Sequence, residues 1–368
     1  MISYIFPGQG SQFKGMGAEL FDLFPEQEKE ADEILGYSIR ALCCEDSEGN
    51  LNQTQYTQPA IYVVSALSYL QEVQKVSVQP NYLAGHSLGE YNALNAAGAL
   101  SFGDGLRLVK KRGELMSHAK HGAMAAILNI SDADVSELLD ANRLTNVDIA
   151  NYNARNQIVI SGVQDEVADS QSHIESAGGV FIPLNTSGAF HSRLMEPAGK
   201  EFSEYLRSFK FGDLSIPVIS NVTGQPYVQS EIADHLSKQI TGSVLWFQTI
   251  ESLLDSGVTE FKELGAGNVL SKLLTKIKSS YNVAQKKQRN APVSPIQSLT
   301  FKRREDDQHT AERIVNEWNK IHRVGESVSV TGLNGRFTTR SEAKTLFGFR
   351  PVIYLAGLEG YLPLSGIS

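Results

Sequence analysis

The pentapeptide Gly85-His86-Ser87-Leu88-Gly89 constrains this chain more than any other stretch. It has the form Gly-x-Ser-x-Gly, in which a serine sits on a strained strand-to-helix turn. The apolar run Tyr82-Leu83-Ala84 before it reads as a buried strand, and residues 90–97 after it are rich in helix formers. The glycines matter because such a turn presses backbone on backbone and leaves no room for a Cβ. The serine hydroxyl then projects outward, toward the N–H groups that open the following helix. That geometry suits acyl transfer.

Composition sets the outer limits. A chain of 368 residues holds two or three domains, and 41% hydrophobic with 20% charged residues is ordinary for a globular protein. The net charge of −8 argues against nucleic acid as a partner. The two cysteines, Cys43 and Cys44, are adjacent and badly placed to bridge each other, which fits a reducing compartment. Residues 1–6 lack a basic leader, and no apolar run reaches the length of a membrane span. The expectation is a cytoplasmic protein that meets no membrane.

Along the chain, residues 2–6 read as a strand ended by the glycine loop Pro7-Gly8-Gln9-Gly10. A helix is expected over 21–35, a polar loop after it, and a helix opened by Pro59 running to 73. The elbow helix and another over 103–118 follow. From Ala123 the order changes to strand 123–129, helix 131–140, strands 147–150 and 157–161, helix 165–177 and strand 180–184. This is βαββαβ, a split, ferredoxin-like unit. The fold class is therefore α/β: an α/β-hydrolase-like large domain (1–122 and 187–284) with an inserted ferredoxin-like small domain (123–186). The resumed large domain has strand 216–221, helices 232–240 and 249–255, strand 260–264 and a helix ending near Lys278. Residues 285–368 read as a linker or C-terminal extension, with Lys286-Lys287-Gln288-Arg289 and Pro292-Val293-Ser294-Pro295 as linker. An amphipathic helix over 311–321 would carry Ile314, Trp318 and Ile321 on one face. The final residues do not resemble a finished domain.

A serine nucleophile needs a base. Of eight histidines, His191 sits where the chain returns from the small domain to the large one, a cleft edge. The alternative is a loop histidine capping the next helix. His118, His121, His173 and His235 read as solvated, and His86 as pointing away from its neighbour. Arg112 is either solvated or, facing the cleft, a fork for a substrate carboxylate. The loop around Gln9 is either a plain turn or an anion-binding nest. No zinc ligand spacing, Walker loop or GxGxxG fingerprint occurs, so no metal and no cofactor is expected.

Together these motifs resemble the malonyl-CoA:acyl carrier protein acyltransferases of fatty acid and polyketide synthesis, over residues 1–278. The matching stretches are Phe6-Pro7-Gly8-Gln9-Gly10-Ser11-Gln12, Tyr56-Thr57-Gln58-Pro59-Ala60, the elbow with Glu90-Tyr91, Arg112, Gly188-Ala189-Phe190-His191, Ser220-Asn221-Val222-Thr223-Gly224 and Leu264-Gly265-Ala266-Gly267-Asn268-Val269-Leu270. The resemblance implies Ser87 as nucleophile and His191 as general base, with the backbone N–H groups of Gln9 and Leu88 as oxyanion hole. One such donor lowers a barrier by about 3–4 kcal/mol. It further implies Arg112, Phe190, Gln58 and Asn268 as substrate-binding, and the Leu245 carbonyl as the group orienting the base. Ala266 departs from the usual proline. Phe190 beside the base matches the malonyl-selective form, because a bulky ring crowds an α-methyl group, a discrimination of about 1–3 kcal/mol. The implied partners are malonyl-CoA and an acyl carrier protein, met through a basic patch including Lys110 and Lys111. The rival is a serine thioesterase or acyl hydrolase, which should carry an acidic partner for its histidine.

Overall fold

The computed structural model describes residues 1–76, 79–119, 122–186, 188–290, 306–329, 336–339, 343–346, 350–354 and 361–363. Ser187, His121 and the Pro292–Pro295 segment lie outside these. Met1–Asn290 forms one compact unit and Ala291–Ser368 a second.

The first unit begins with strand β1 (Ile2–Phe6) and helices α1 (Ala18–Leu23), α2 (Pro25–Leu35), α3 (Ile39–Cys44) and α4 (Thr54–Lys75). The single helix expected over 21–35 is two helices. Phe24 leaves helical geometry at φ −129° and ψ 60°, and Pro25 starts the second, since a proline disfavours the α region in the residue before it. The polar loop expected next contains α3, capped by the Ser38 side chain. Pro59 does not open α4 but stands inside it. The helix starts at Thr54, so Pro59 lies past its first turn, and the N–H it lacks would otherwise bond the Gln55 carbonyl.

Strand β2 (Tyr82–Gly85), helix α5 (Gly89–Ala96) and helix α6 (Phe102–Ser117) complete the first stretch. Glycines on α6 let α4 approach closely. A Cβ at Gly105 would stand 2.1 Å from the Tyr62 hydroxyl, and one at Gly113 3.1 Å from the Thr54 carbonyl.

The small lobe follows as β3 (Gly122–Leu128), α7 (Asp132–Ala141), β4 (Val147–Ala154), β5 (Gln157–Val163), α8 (Gln164–Ser176) and β6 (Val180–Pro183). Its antiparallel sheet has the order β4-β5-β3-β6. Ala125, Ile127, Ile158 and Ile160 pack on Val135, Leu139, Val167 and Ile174 of the two helices. Their neighbours in sequence, Met124 and Val159, point the other way into the large lobe's core, as period-two alternation requires.

The chain returns through α9 (Glu196–Leu206), β7 (Val218–Ile219), α10 (Ile232–Thr241), α11 (Trp246–Asp255), β8 (Glu260–Glu263) and α12 (Val269–Asn290). The large sheet is parallel throughout, in the order β7-β2-β1-β8. Both faces are covered, as parallel sheets require. Tyr4, Phe6 and Leu83 face the α4–α6 side, while Ile5, Ala84 and Ile219 face Trp246, Ile250, Leu270 and Leu273. Helix α12 runs past Lys278 to Asn290, so Lys286–Arg289 is helical rather than linker.

In the second unit, α13 (Asp306–Ile321) accompanies a hairpin of β9 (Ser327–Ser329) with β10 (Arg336–Thr338). An antiparallel sheet of β11 (Lys344–Leu346), β12 (Arg350–Tyr354) and β13 (Tyr361–Pro363) follows. Val328, Ala343 and Ile353 form a small core on which Val315 and Trp318 pack. Ile314 and Ile321 are exposed. The buried face is thus centred on Val315, not on Ile314. Asn319 fixes that rotation by bonding both backbone groups of Ala343 at 2.8 Å.

Candidate active site

Ser87 stands between β2 and α5 with φ +51°, a left-handed conformation costing about 1–3 kcal/mol that surrounding structure must enforce. A Cβ on Gly85 would lie 1.9 Å from the Gly89 carbonyl carbon, and one on Gly89 2.1 Å from the Phe6 carbonyl oxygen. The two glycines are therefore sterically obligatory. Asn221, just after β7, clamps the turn from outside. Its Oδ1 accepts the Ser87 N–H at 2.6 Å and its Nδ2 donates to the Gly85 carbonyl at 2.6 Å.

His191 follows β6 in the loop back to the large lobe, also at positive φ (+58°). Its Nε2 lies 2.7 Å from Ser87 Oγ. Its Nδ1 faces two carbonyls at the C-terminal end of α10, Gln239 at 2.8 Å and Gly242 at 3.2 Å. Carbonyls only accept, so Nδ1 carries the hydrogen and Nε2 is free to take one from serine. The expected Leu245 carbonyl does not fill this role, because it accepts the Thr249 N–H within α11. Burial, followed by the positive charge of Arg112, pushes the His191 imidazolium down to about 3.

Arg112 is 1% exposed on α6, which excludes the solvated alternative. Its Nη2 lies 3.0 Å from Ser87 Oγ and 3.0 Å from Gln239 Oε1, and its Nη1 2.7 Å from Gln58 Oε1. The guanidinium lies over the Tyr91 ring at 5.7 Å. Every one of these hydrogen-bond acceptors is neutral, so they orient the cation without discharging it.

The remaining expected residues divide. Gln58 joins the cluster because α4 starts early enough to aim it at α6. Leu88 is buried directly after Ser87 in helical geometry. The loop carrying Gln9 packs on the elbow, with a Cβ at Gly8 placed 2.4 Å from the His86 carbonyl. Phe190 is buried beside the base. Asn268 is exposed at the start of α12, and among the described residues no hydrogen bond joins it to Ser87, His191 or Arg112. His86 turns away as expected, meeting Asn153 Oδ1 at 2.8 Å and the Trp246 ring. Lys110 belongs to no free basic patch. It donates to the Ile34 and Leu35 carbonyls in a depression shared with Arg107, Lys111 and three glutamates, Glu30, Glu33 and Glu114.

Sequence reasoning missed Gln239 altogether, and it gave Glu90 and Asn221 no role although both lie in its motifs. Glu90 is fully buried on α5, accepting the Asn221 N–H and the Tyr227 hydroxyl, each at 2.8 Å, and bonding Gln239 Nε2. Burial raises its carboxyl to about 7. An acid as the single charged residue of helix α5 is the signal that was available. Among the described residues no group of side chains is arranged to hold a metal ion.

Comparison with known proteins adds four findings. The acyl transferase domain family matches residues 3–326. The chain is 52% identical over 281 residues to a polyketide biosynthesis malonyl CoA-acyl carrier protein transacylase of Bacillus velezensis, covering 76% of this chain and 97% of that one. Its fold is similar to malonyl CoA-acyl carrier protein transacylase from Burkholderia pseudomallei, with TM-score 0.73 and 45% identity over 80% of this chain and 99% of the other. It is also similar to a malonyl-transacylase solved in complex with its type II polyketide synthase acyl-carrier protein, with TM-score 0.73 and 33% identity over 76% and 93% of the two chains.

Proposed function

The chain belongs to the acyl transferase domain family, and on that premise we propose that Ser87, His191 and Arg112 are the machinery by which it transfers malonyl. The reaction carries the malonyl group from malonyl-CoA to the phosphopantetheine thiol of an acyl carrier protein, in polyketide or fatty acid biosynthesis. One observation carries this reading: the Ser87 hydroxyl lies within hydrogen-bond reach of both a neutral imidazole and a buried guanidinium.

The steps follow from the geometry. Ser87 Oγ attacks the thioester carbonyl as His191 Nε2 takes its proton. The N–H groups of Gln9 and Leu88 receive the developing oxyanion. The tetrahedral adduct collapses, the C–S bond breaks, and CoA leaves with the proton returned by His191. The carrier thiol then attacks the malonyl ester, His191 accepts its proton, and the adduct expels Ser87 Oγ, which His191 reprotonates. Arg112 pairs with the free carboxylate throughout. Thioester and ester exchange without change of oxidation state, so the chemistry calls for no metal or redox cofactor.

A hydrolase would orient its histidine with a carboxylate, whereas two carbonyls do so here. Phe190 beside the base supports malonyl over its α-methyl analogue. Gln58 acts on substrate through Arg112. The strand order β4-β5-β3-β6 supports reading 123–186 as a ferredoxin-like insertion in an α/β-hydrolase-like domain (1–122 and 187–284), with 285–368 as an extension. A cytoplasmic location fits the absence, among the described residues, of a helix long and apolar enough to cross a membrane.

Incubation with malonyl-CoA followed by intact mass measurement tests the nucleophile. Wild type should carry one malonyl adduct and Ser87→Ala none. An adduct retained by Ser87→Ala would refute the assignment.

A further inference from the structure

One side chain touches the elbow, the Arg112 guanidinium and a buried acid at once. The amide of Gln239 sends Oε1 to Arg112 Nη2 at 3.0 Å, and its Nε2 donates to the Ser87 carbonyl at 2.8 Å and to Glu90 Oε2. Its main-chain carbonyl separately holds His191. Gln239 and Glu90 are both fully buried.

A primary amide has one accepting end and one donating end of nearly equal size, so shape alone does not say which way round it sits. Here the surroundings decide. On one side stand two acceptors, the Ser87 carbonyl and the Glu90 carboxylate in its ionised form; on the other stands a pure donor, Arg112. A reversed amide would set NH2 against guanidinium and oxygen against two oxygens. Glu90 is itself fixed by the Asn221 N–H and the Tyr227 hydroxyl, so its orientation is inherited from the loop that clamps the elbow.

We propose that Glu90 and Gln239 are positioning residues for malonyl recognition: Glu90 holds the Gln239 amide with its oxygen toward Arg112, and that oxygen holds the guanidinium at Ser87. The inference rests on Arg112 being the partner of the malonyl carboxylate. Gln58 grips only Nη1. Without Gln239, the cation keeps one side-chain amide anchor and its contact with Tyr91, and it can pivot about Nη1 away from the serine.

The experiment compares kcat and KM for malonyl-CoA and acetyl-CoA in wild type, Gln239→Leu, Glu90→Gln, Arg112→Ala and the double variant Arg112→Ala/Gln239→Leu. Leucine removes the amide but keeps the carbonyl that serves His191. Gln239→Leu is expected to lose about tenfold more malonyl than acetyl transfer. Glu90→Gln should move in the same direction, and the double variant should transfer malonyl no worse than Arg112→Ala alone. Equal losses for the two donors overturn the relay, and so do additive losses in the double variant. Thermal melts identify a variant that does not fold; Gln239→Met then replaces leucine and is judged by the same ratio. A wild type without preference for malonyl would defeat the malonyl reading and the relay together, which distinguishes that failure from failure of the relay alone.

Discussion

At the scale of single residues, the site depends on burying charge-bearing groups and denying them their usual charge state. His191 stays neutral far below its ordinary value of 6.5 because it is enclosed and faces Arg112. A base that remains unprotonated keeps working in mild acid. The acid limb of kcat/KM for malonyl-CoA is therefore expected well below pH 6.5, and a limb centred at 6.5 in a pH–rate profile would contradict this. Stability carries the opposite consequence. Between 6.5 and about 3 the unfolded chain binds a proton at residue 191 that the folded chain refuses, so this group's contribution falls as pH falls through that window. Glu90 has the reverse sign. Raised to about 7 by burial, against the pull of Arg112, Tyr227, Gln239 and the Asn221 N–H, it favours the folded state below about 4.5 and loses that contribution as pH rises through 7. Urea unfolding across pH would show the two trends partly cancelling in mild acid.

At the scale of elements, glycine decides where backbones meet. Gly85→Ala would force a Cβ against the Gly89 carbonyl carbon at 1.9 Å, where nothing flexible can yield. That substitution should cost about 3 kcal/mol or more and disorder the elbow. At Gly178, which unlike Gly85 has positive φ (+86°) but nothing near its Cβ position, alanine should cost only about 1–2 kcal/mol. Chemical denaturation of the two variants checks the difference, and equal costs would show that the close approach is not what the elbow glycine serves. The elements themselves were largely legible, because β1, β2, β3 and β5 are apolar runs between turn residues and α6, α8 and α10 keep a helical period. Pro25 was a local signal for the break between α1 and α2; two other misses had none. Pro59 reads as a helix start, yet α4 begins five residues earlier because its first turn packs against Gly113 of α6. Strand β7 is shorter than the strand expected over 216–221, because Ser220 and Asn221 turn away, the Ser220 N–H donating to the Gln225 carbonyl and the Asn221 side chain bonding the elbow.

At the scale of the whole molecule, the site draws on a turn at the C-terminal end of the inner strand β2, a loop leaving the small lobe, and helices α4, α6 and α10. All of them lie within the compact unit Met1–Asn290. A chain ending at Asn290 is therefore expected to fold and to transfer malonyl with a kcat/KM within about threefold of the full chain, inside the usual context spread of such effects. Loss of folding or activity in that truncation, followed by circular dichroism and transfer assay, would show that 291–368 completes the enzyme. The sequence by itself determined the elbow and the serine proposed as nucleophile on it, since the two glycines of Gly-x-Ser-x-Gly allow the close backbone approach, and it determined most of the order of strands and helices, since side-chain period follows backbone geometry. Tertiary structure alone decided which carbonyls hold the histidine, that Gln239 faces Arg112, and that Glu90 lies buried behind both. Those contacts join residues 48 to 149 positions apart. Nothing local encodes them, because they exist only once burial has removed water as the competing partner.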